Sequence, residues 1–423
     1  MRKLYTFFIS LYGFAIRIAA LFNPKAALWI RGRRNWRNTL SNAVSGENWL
    51  WFHCASLGEF EQGRPIMERC KAAFPQWKIA LTFFSPSGYE VRKAYNGADL
   101  VMYLPLDTGK NAKDFLELLS PSYAFFVKSE IWPNYFLELR NRNIPLYMIS
   151  ARFRPGQRFL QQGKGFWKTI LAIPEIVFVQ DEPSLALLQT AGYSNGILAG
   201  DTRYDRVLAL ASEFRSLHDV ESFIGNRKAI VFGSCWPPED EVAQLLLSDL
   251  DKSYCMVLVP HDVSNRHIDY LRKRFGSRAV LLSEWGSGTH AELLPVLIVD
   301  SIGLLGSIYR LATMAIVGGG FGTGLHNILE PAVYGLPVGF GAHHRRFPEA
   351  KALVEAGGAF DHLRPDGLFM RIREMLRDEP GLRSAGAKAK EFVQGRAGAV
   401  EVIWKSLKDN QVIDELQKHH PEI

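Results

Sequence analysis

A glutamate three residues beyond a serine, where an apolar run gives way to a helix, is the first feature of this chain that can do chemistry. Trp49–Ala55 reads as a strand, and Ser56-Leu57-Gly58-Glu59 as its turn into a helix. A carboxylate at such a turn can act as general base toward an attacking hydroxyl. The same spacing is that of a capping box, in which both side chains only satisfy backbone N–H groups. The spacing leaves both roles open for Glu59, while His53 and Cys54 are expected in the core. Phe126-Val-Lys-Ser-Glu130-Ile-Trp-Pro133 likewise ends a strand and enters a helix. Lys128 and Glu130 lie two apart, so an extended backbone would put them on one face, as a pair or lining a site. Arg203, in Gly200-Asp-Thr-Arg-Tyr-Asp205, is either an anion holder or a surface ion-pair partner.

A glycine-rich turn offers a different chemistry. Ala315-Ile-Val-Gly-Gly-Gly-Phe-Gly-Thr-Gly-Leu-His-Asn-Ile-Leu-Glu-Pro331 reads as a strand, a tight loop and a helix opening at Asn327, with Glu330 in capping position. Glycines let a ligand approach main-chain N–H groups, and a helix start favours an anion in front of it. Without Gly-Lys-Ser/Thr or G-x-G-x-x-G, this is neither a P-loop nor a dinucleotide fingerprint. A tight loop before a capped helix is the alternative. Gly233-Ser234-Cys235-Trp236, Val259-Pro260-His261-Asp262 and Asp300-Ser-Ile302-Gly303-Leu304 read as further strand-to-helix turns on the same sheet edge. His261 and His326 lack metal-ligand spacing. The cysteines, Cys54, Cys70, Cys235 and Cys255, are scattered without a C-x-x-C pair, so neither a metal site nor a disulfide framework is expected.

The elements that must position these residues alternate between short apolar runs and amphipathic stretches, the pattern of parallel sheets covered by helices. Strands are expected near 49–55, 78–84, 100–104, 123–127, 145–149 and 176–180, and again near 229–232, 255–259, 279–282, 296–299, 314–317 and 337–339. The polar stretch 206–225 reads as a linker, and 381–417 as a helical tail. The expected fold is therefore α/β, with two doubly wound Rossmann-like domains facing a cleft. Its boundaries are 1–38 for an N-terminal arm, 39–210 and 211–395 for the two domains, and 396–423 for a C-terminal helix.

At 423 residues, with 47% hydrophobic and 22% charged residues, the chain is globular and long enough for more than one core. Its net charge of +7 is not spread evenly. Residues 1–46 carry Arg2, Lys3, Arg17, Lys25, Arg31, Arg33, Arg34 and Arg37 with no acid, so the globular body is close to neutral. Nucleic acid is therefore not an expected partner. The arm is also apolar from Leu4 to Phe22, interrupted by Arg17. It suits a marginal membrane span or a helix lying in the interface, with Arg31, Arg33, Arg34 and Arg37 next to anionic lipid. A cleaved signal peptide is the rival reading.

Together these motifs resemble the 3-deoxy-D-manno-octulosonic acid (Kdo) transferases of lipopolysaccharide synthesis. The resemblance rests on the basic apolar N-terminus, His53-Cys-Ala-Ser-Leu-Gly-Glu59, Ser129-Glu130-Ile-Trp-Pro133, Gly200–Asp205, Leu258-Val-Pro260, Val317-Gly-Gly and His326-Asn-Ile-Leu-Glu330. It implies an inverting, metal-independent glycosyltransferase of the two-domain B type, held at the cytoplasmic face of the inner membrane. It implies no cofactor, CMP-Kdo as donor and the tetra-acylated lipid A precursor as acceptor. It places the general base at Glu59 and charge stabilisation at Arg203, with Lys128 and Glu130 beside them. CMP contacts are implied at Ser234, Pro260, His261, Ile302, Gly303, Leu304, Gly319, His326, Asn327, Ile328, Leu329 and Glu330. The chain departs from the family pattern at Lys128, where an acid is usual, at His261 (arginine), at Leu304 (glutamate) and at Trp236 (histidine). Another sugar-nucleotide transferase or epimerase of this fold, or a membrane-tethered nucleotide-binding module, would share many of these features.

Overall fold

The computed structural model of the chain describes residues 1–44, 46, 48–160, 165–213, 216–285, 294–322 and 324–418. Its backbone divides into two compact units, Met1–Arg206 with Ala397–Ile423, and Val207–Arg396. Residues 419–423 of the expected C-terminal helix lie outside the described residues.

The first unit is built on seven parallel strands: β1 (Trp49–Cys54), β2 (Lys78–Phe83), β3 (Leu100–Tyr103), β4 (Tyr123–Val127), β5 (Leu146–Ala151), β6 (Ile176–Val179) and β7 (Gly196–Leu198). They lie in the order β3-β2-β1-β4-β5-β6-β7. Both faces are covered, which is why the strands read as continuous apolar runs. Trp51, Ala124, Phe126 and Met148 pack on one face, and Leu50, Phe52, Phe125 and Tyr147 on the other. The order reverses between β1 and β4, so the turns after these two strands open at the same crevice. The helix Leu57–Ala73 follows β1 and lies close to β4: a Cβ on Gly63 would come within 2.7 Å of Val127 Cγ2. The last helices, Ala399–Asp409 and Val412–Lys418, return to this unit, where Trp404 stacks on Phe74 and Trp77 Nε1 donates to the Leu416 carbonyl.

The second unit repeats the plan with β8 (Lys228–Cys235), β9 (Tyr254–Pro260), β10 (Ala279–Leu281), β11 (Val296–Ile298), β12 (Ala312–Val317), β13 (Val338–Gly341) and β14 (Ala359–His362), ordered β10-β11-β9-β8-β12-β13-β14. Its crevice lies between β8 and β12.

Some expectations need correction. The edge strands β7 and β14 were not foreseen, because runs of three and four residues carry too little periodicity. The stretch 206–225 is not a free linker. Most of it lies in the helices Thr202–Ser212 and His218–Ile224, and Val220 and Phe223 are buried in the second unit's core. Nor is 1–38 a detached arm. Trp29 and Trp36 are buried, Arg37 pairs with Asp114, and Arg33 donates to the Trp29, Phe84 and Leu104 carbonyls under the Trp29 ring. Arg33 and Arg37 are therefore spent on the fold rather than left facing lipid. Among the described residues no helix is long and apolar enough to cross a membrane.

Candidate functional site

Glu59 does take the capping position. Its Oε2 accepts the Ser56 N–H at 3.1 Å from the first turn of its helix. It is also buried, and burial raises its pKa well above the ordinary carboxylate range. The neighbouring Glu130 raises it further, while Lys128 and the Ala55 and Ser56 N–H groups pull it back. Glu130 is itself pushed up by burial and pulled down by Lys128. Two carboxylates and one ammonium thus share the crevice beyond β1 and β4. A carboxylate raised this way is a stronger proton acceptor when ionised and exchanges its proton close to neutral pH, which is the tuning that suits a general base. Capping and catalysis are therefore compatible for Glu59, since a carboxylate has about four lone-pair sites and the Ala55 and Ser56 N–H groups use only part of them.

Lys128 and Glu130 do not lie on an extended backbone as expected. Lys128 has φ of 66°, a left-handed conformation rare for a side chain of this kind, and its N–H donates to the Ile149 carbonyl at 2.7 Å. The neighbouring strand is irregular at the same level, with Ser150 at φ of 52° and a register shift between Met148 and Ala151. Non-glycine residues in this region cost energy that the surroundings must hold, and such residues gather at functional sites. The turn leaves Lys128 exposed while its charge acts on both carboxylates.

Arg203 is not a free anion holder. Its Nε and Nη2 fork onto Asp201 at 3.0 and 2.7 Å, and its own N–H also reaches Asp201. Asp201 is buried and accepts from Gln62 Nε2 at 3.3 Å on the Glu59-bearing helix. Thr202 Oγ1 ties the same turn to the Gln62 carbonyl and lies 3.0 Å from Ser150 Oγ. Asp201, Thr202, Gln62 and Ser150 were not singled out in the sequence. Only the segment holding Asp201 and Thr202 carried a signal, through its arginine.

In the second unit the expected nucleotide residues fall at the carboxyl ends of adjacent parallel strands. Ser234 follows the centre of β8, with Cys235 registered against Pro260 of β9 and Gly233 against Val317 of β12. Trp236 and His261 stack with ring centroids 4.5 Å apart, and His261 and His326 lie 4.6 Å apart. Trp236 Nε1 donates to His326 Nε2 at 3.1 Å. Burial, then the neighbouring His261, hold His326 down at a pKa of about 4, so its ring is neutral. Ile302 is exposed on a turn with Gly303, and Leu304 precedes the helix Leu305–Tyr309.

The glycine loop differs from its reading. Gly319 N–H donates to Glu239 Oε1 at 3.1 Å, so that amide is already engaged. Gly319 also has φ of 88°, and a Cβ there would sit 2.1 Å from the Gly324 carbonyl oxygen. Close backbone packing requires this glycine. The helix opens at Leu329 rather than Asn327 and runs only to Val333. Asn327 Oδ1 accepts the Leu329 N–H at 3.1 Å, and its amide donates to Glu330 Oε1 at 3.0 Å. So short a helix offers little dipole to an anion. Ile328 and Leu329 are buried, leaving only their backbone for a ligand. Glu239, which also accepts the Trp236 N–H at 3.0 Å, is the organising carboxylate that sequence reasoning passed over, although Trp-x-x-Glu has cap spacing. Among the described residues no three His, Cys, Asp or Glu side chains gather as metal ligands.

Residues 28–206 match the family described as 3-deoxy-D-manno-octulosonic-acid transferase (kdotransferase). The chain is 26% identical over 383 residues to the 3-deoxy-D-manno-octulosonic acid transferase of Chlamydia trachomatis serovar D, spanning 86% of each protein. It is 27% identical over 376 residues to that of Haemophilus influenzae, spanning 85% of this chain and 86% of the relative. Among solved structures, the Neisseria meningitidis UDP-GlcNAc 2-epimerase bound to UDP-GlcNAc superposes with a TM-score of 0.59 at 15% identity, covering 86% of this chain and 100% of that one. Acinetobacter baumannii MurG superposes at 0.52 and 12% identity, covering 88% and 99%. At such identities the structural likeness is one of fold.

Proposed function

This chain belongs to the 3-deoxy-D-manno-octulosonic acid transferase family, and from that premise we propose that it transfers Kdo from CMP-Kdo to the lipid A precursor with inversion and without a metal. The observation that carries the reading is the buried Glu59, raised by its surroundings, at the crevice of the first unit. Glu59 takes the proton of the acceptor hydroxyl as that oxygen attacks the anomeric carbon of Kdo. The bond from that carbon to the phosphate oxygen breaks, and CMP leaves with the electron pair. Fixed positive charge is needed where CMP departs, and on this reading Lys128 and Arg203 supply it.

The second unit is the donor-binding half on this reading. The Trp236–His261–His326 stack and the turns at Ser234, Pro260 and Ile302–Leu304 receive the cytidine and its phosphate. The two-domain B-type arrangement belongs to the same proposal, with support from the likeness of fold to the epimerase and MurG structures. So does a location at the cytoplasmic face of the inner membrane. There, the N-terminal helix Arg2–Ala19 lies in the interface rather than spanning the bilayer, since it already packs on the first unit along one side. The test is product analysis by mass spectrometry after incubation with CMP-Kdo and lipid A precursor. Gain of the Kdo mass by the lipid supports the proposal. Turnover with a UDP-sugar alone would redirect it to another transferase or epimerase.

A further inference from the structure

A cavity of about 900 Å³ opens between the N-terminal helix, the following helix Pro24–Arg31 and the turn after β3. Arg17, Arg31, Arg33, Arg34 and Arg37 line it, and no Asp or Glu does. Arg33 and Arg37 form its occupied side, held by backbone carbonyls and by Asp114. Arg17, Arg31 and Arg34 are exposed, and no acidic partner meets them among the described residues. Uncompensated guanidinium groups converging on one cavity are a recognition pattern for phosphate, whose oxygens match their forked donors.

The helix that forms one wall shows two apolar sides. Inward, Tyr5 meets Trp167 edge-on, a Cβ on Gly13 would press on Leu106, and Arg2 and Thr6 hydrogen-bond to Asn134. Outward, Leu4, Phe7, Phe8, Leu11, Phe14 and Ile18 repeat at helical spacing and stand at least half exposed, with Leu21 and Phe22 beyond them at 76% and 85%. A continuous outward apolar stripe on a helix fixed along the unit fits acyl chains at a bilayer surface. The cavity adjoins that stripe.

We propose that this cavity is a headgroup site, in which Arg17, Arg31 and Arg34 hold the phosphate of an anionic lipid whose acyl chains meet the outward stripe. The inference rests on the interfacial placement of the N-terminal helix and adds to it a specific ligand, a lipid phosphate. Glu59, Lys128 and Glu130 are not among the residues that line it, and the role proposed for it is to dock and orient the enzyme on anionic bilayer rather than to take part in transfer.

Co-sedimentation of the full-length protein tests it, with phosphatidylcholine vesicles and with vesicles that also contain phosphatidylglycerol. Each arginine near an anionic surface contributes about fivefold in affinity, so the Arg17→Gln/Arg31→Gln/Arg34→Gln variant should lose about a hundredfold for the anionic vesicles and little for the neutral ones. A Lys405→Gln/Lys408→Gln/Lys418→Gln variant, with the same charge change on the last helices of the unit and none of these residues lining the cavity, should lose much less. The Arg→Lys triple variant should fall between the two, because it keeps the charge but not the fork. Equal losses in the two Gln variants would overturn the site in favour of diffuse attraction, leaving the interfacial helix standing. Displacement from anionic vesicles by millimolar glycerol phosphate would overturn it in favour of a soluble phosphate ligand. Failure to bind either vesicle would overturn the membrane reading itself. Circular dichroism of each variant, matching the parent, makes these outcomes reports on binding rather than folding.

Discussion

The indole N–H of Trp236 donates to Nε2 of His326 across 3.1 Å, and this one bond decides the state of the histidine. An indole can only donate, so Nε2 must present its lone pair, and the neutral ring must carry its proton on Nδ1. Trp236 and His261, two positions at which the chain departs from the pattern its motifs resemble, stack on each other with ring centroids 4.5 Å apart.

Replacing Trp236 by Phe keeps the stack and removes the donor. A net hydrogen bond contributes about 0.5–1.5 kcal/mol, so CMP should bind several-fold more weakly by calorimetry. The imidazole nitrogen shifts of His326 should move from the Nδ1–H form toward a mixture of tautomers. Unchanged shifts and affinity would show that the bond does not organise the site.

The pH dependence of transfer should carry the signature of the Glu59–Glu130–Lys128 group. Glu59 must be ionised to act as base, so the rate rises with pH through its raised pKa. Glu130→Gln removes a charge that raises it and should move this limb to lower pH. Lys128→Met removes a charge that lowers it and should move the limb to higher pH. Opposite displacements in the two variants are expected; parallel ones would mean that Glu59 is not the group observed. Stability follows the same sign. The folded state holds the Glu59 proton more tightly than the unfolded chain, so its contribution is full below the ordinary carboxylate pKa and is lost as pH rises through the raised one.

Asp201 fixes Arg203 by a forked pair and reaches the Glu59 helix through Gln62. Asp201→Asn keeps the size and weakens the fork. If Arg203 must be held in place for the departing charge, kcat should fall about tenfold or more with the KM for donor nearly unchanged. A rise in KM alone would assign Arg203 to ground-state binding.

Two truncations should separate anchor from fold. Removing residues 1–22 takes away the outward apolar stripe and should leave a folded protein that binds CMP and no longer sediments with vesicles. Removing residues 1–38 also takes Trp29, Arg33 and Trp36 out of the first unit. Each large buried aromatic contributes about 3–5 kcal/mol, against a total stability of about 5–15 kcal/mol. That shorter chain should show no cooperative melt.

How far the sequence revealed this molecule follows from the range of the forces involved. Buried strands such as Trp49–Cys54 and Tyr123–Val127 are legible because burial on both faces demands unbroken apolar runs. The Ser56–Glu59 turn is legible because capping is local. The left-handed Lys128 is not, since it accompanies an irregularity in the neighbouring β5, to which its N–H bonds at Ile149, and lysine itself gives no hint of it. Arg33 misleads for a similar reason: within a basic run it reads as surface, yet Trp29 one helical turn before it and Tyr103 from a distant strand enclose it. The glycine run reads as a phosphate cradle, but the partner of Gly319 is Glu239, eighty residues earlier in the chain.

The central claim is that Glu59 removes the acceptor proton, and single-turnover transfer of Kdo by Glu59→Gln tests it most directly. The glutamine keeps an oxygen for the Ser56 N–H, so folding and CMP affinity should match the parent. Loss of a general base costs about 10²–10⁴ in rate, and the predicted result is a fall of at least a hundredfold, unrelieved by raising the pH. Transfer at close to the parental rate in a folded Glu59→Gln protein would contradict the account and leave Glu59 as a helix cap.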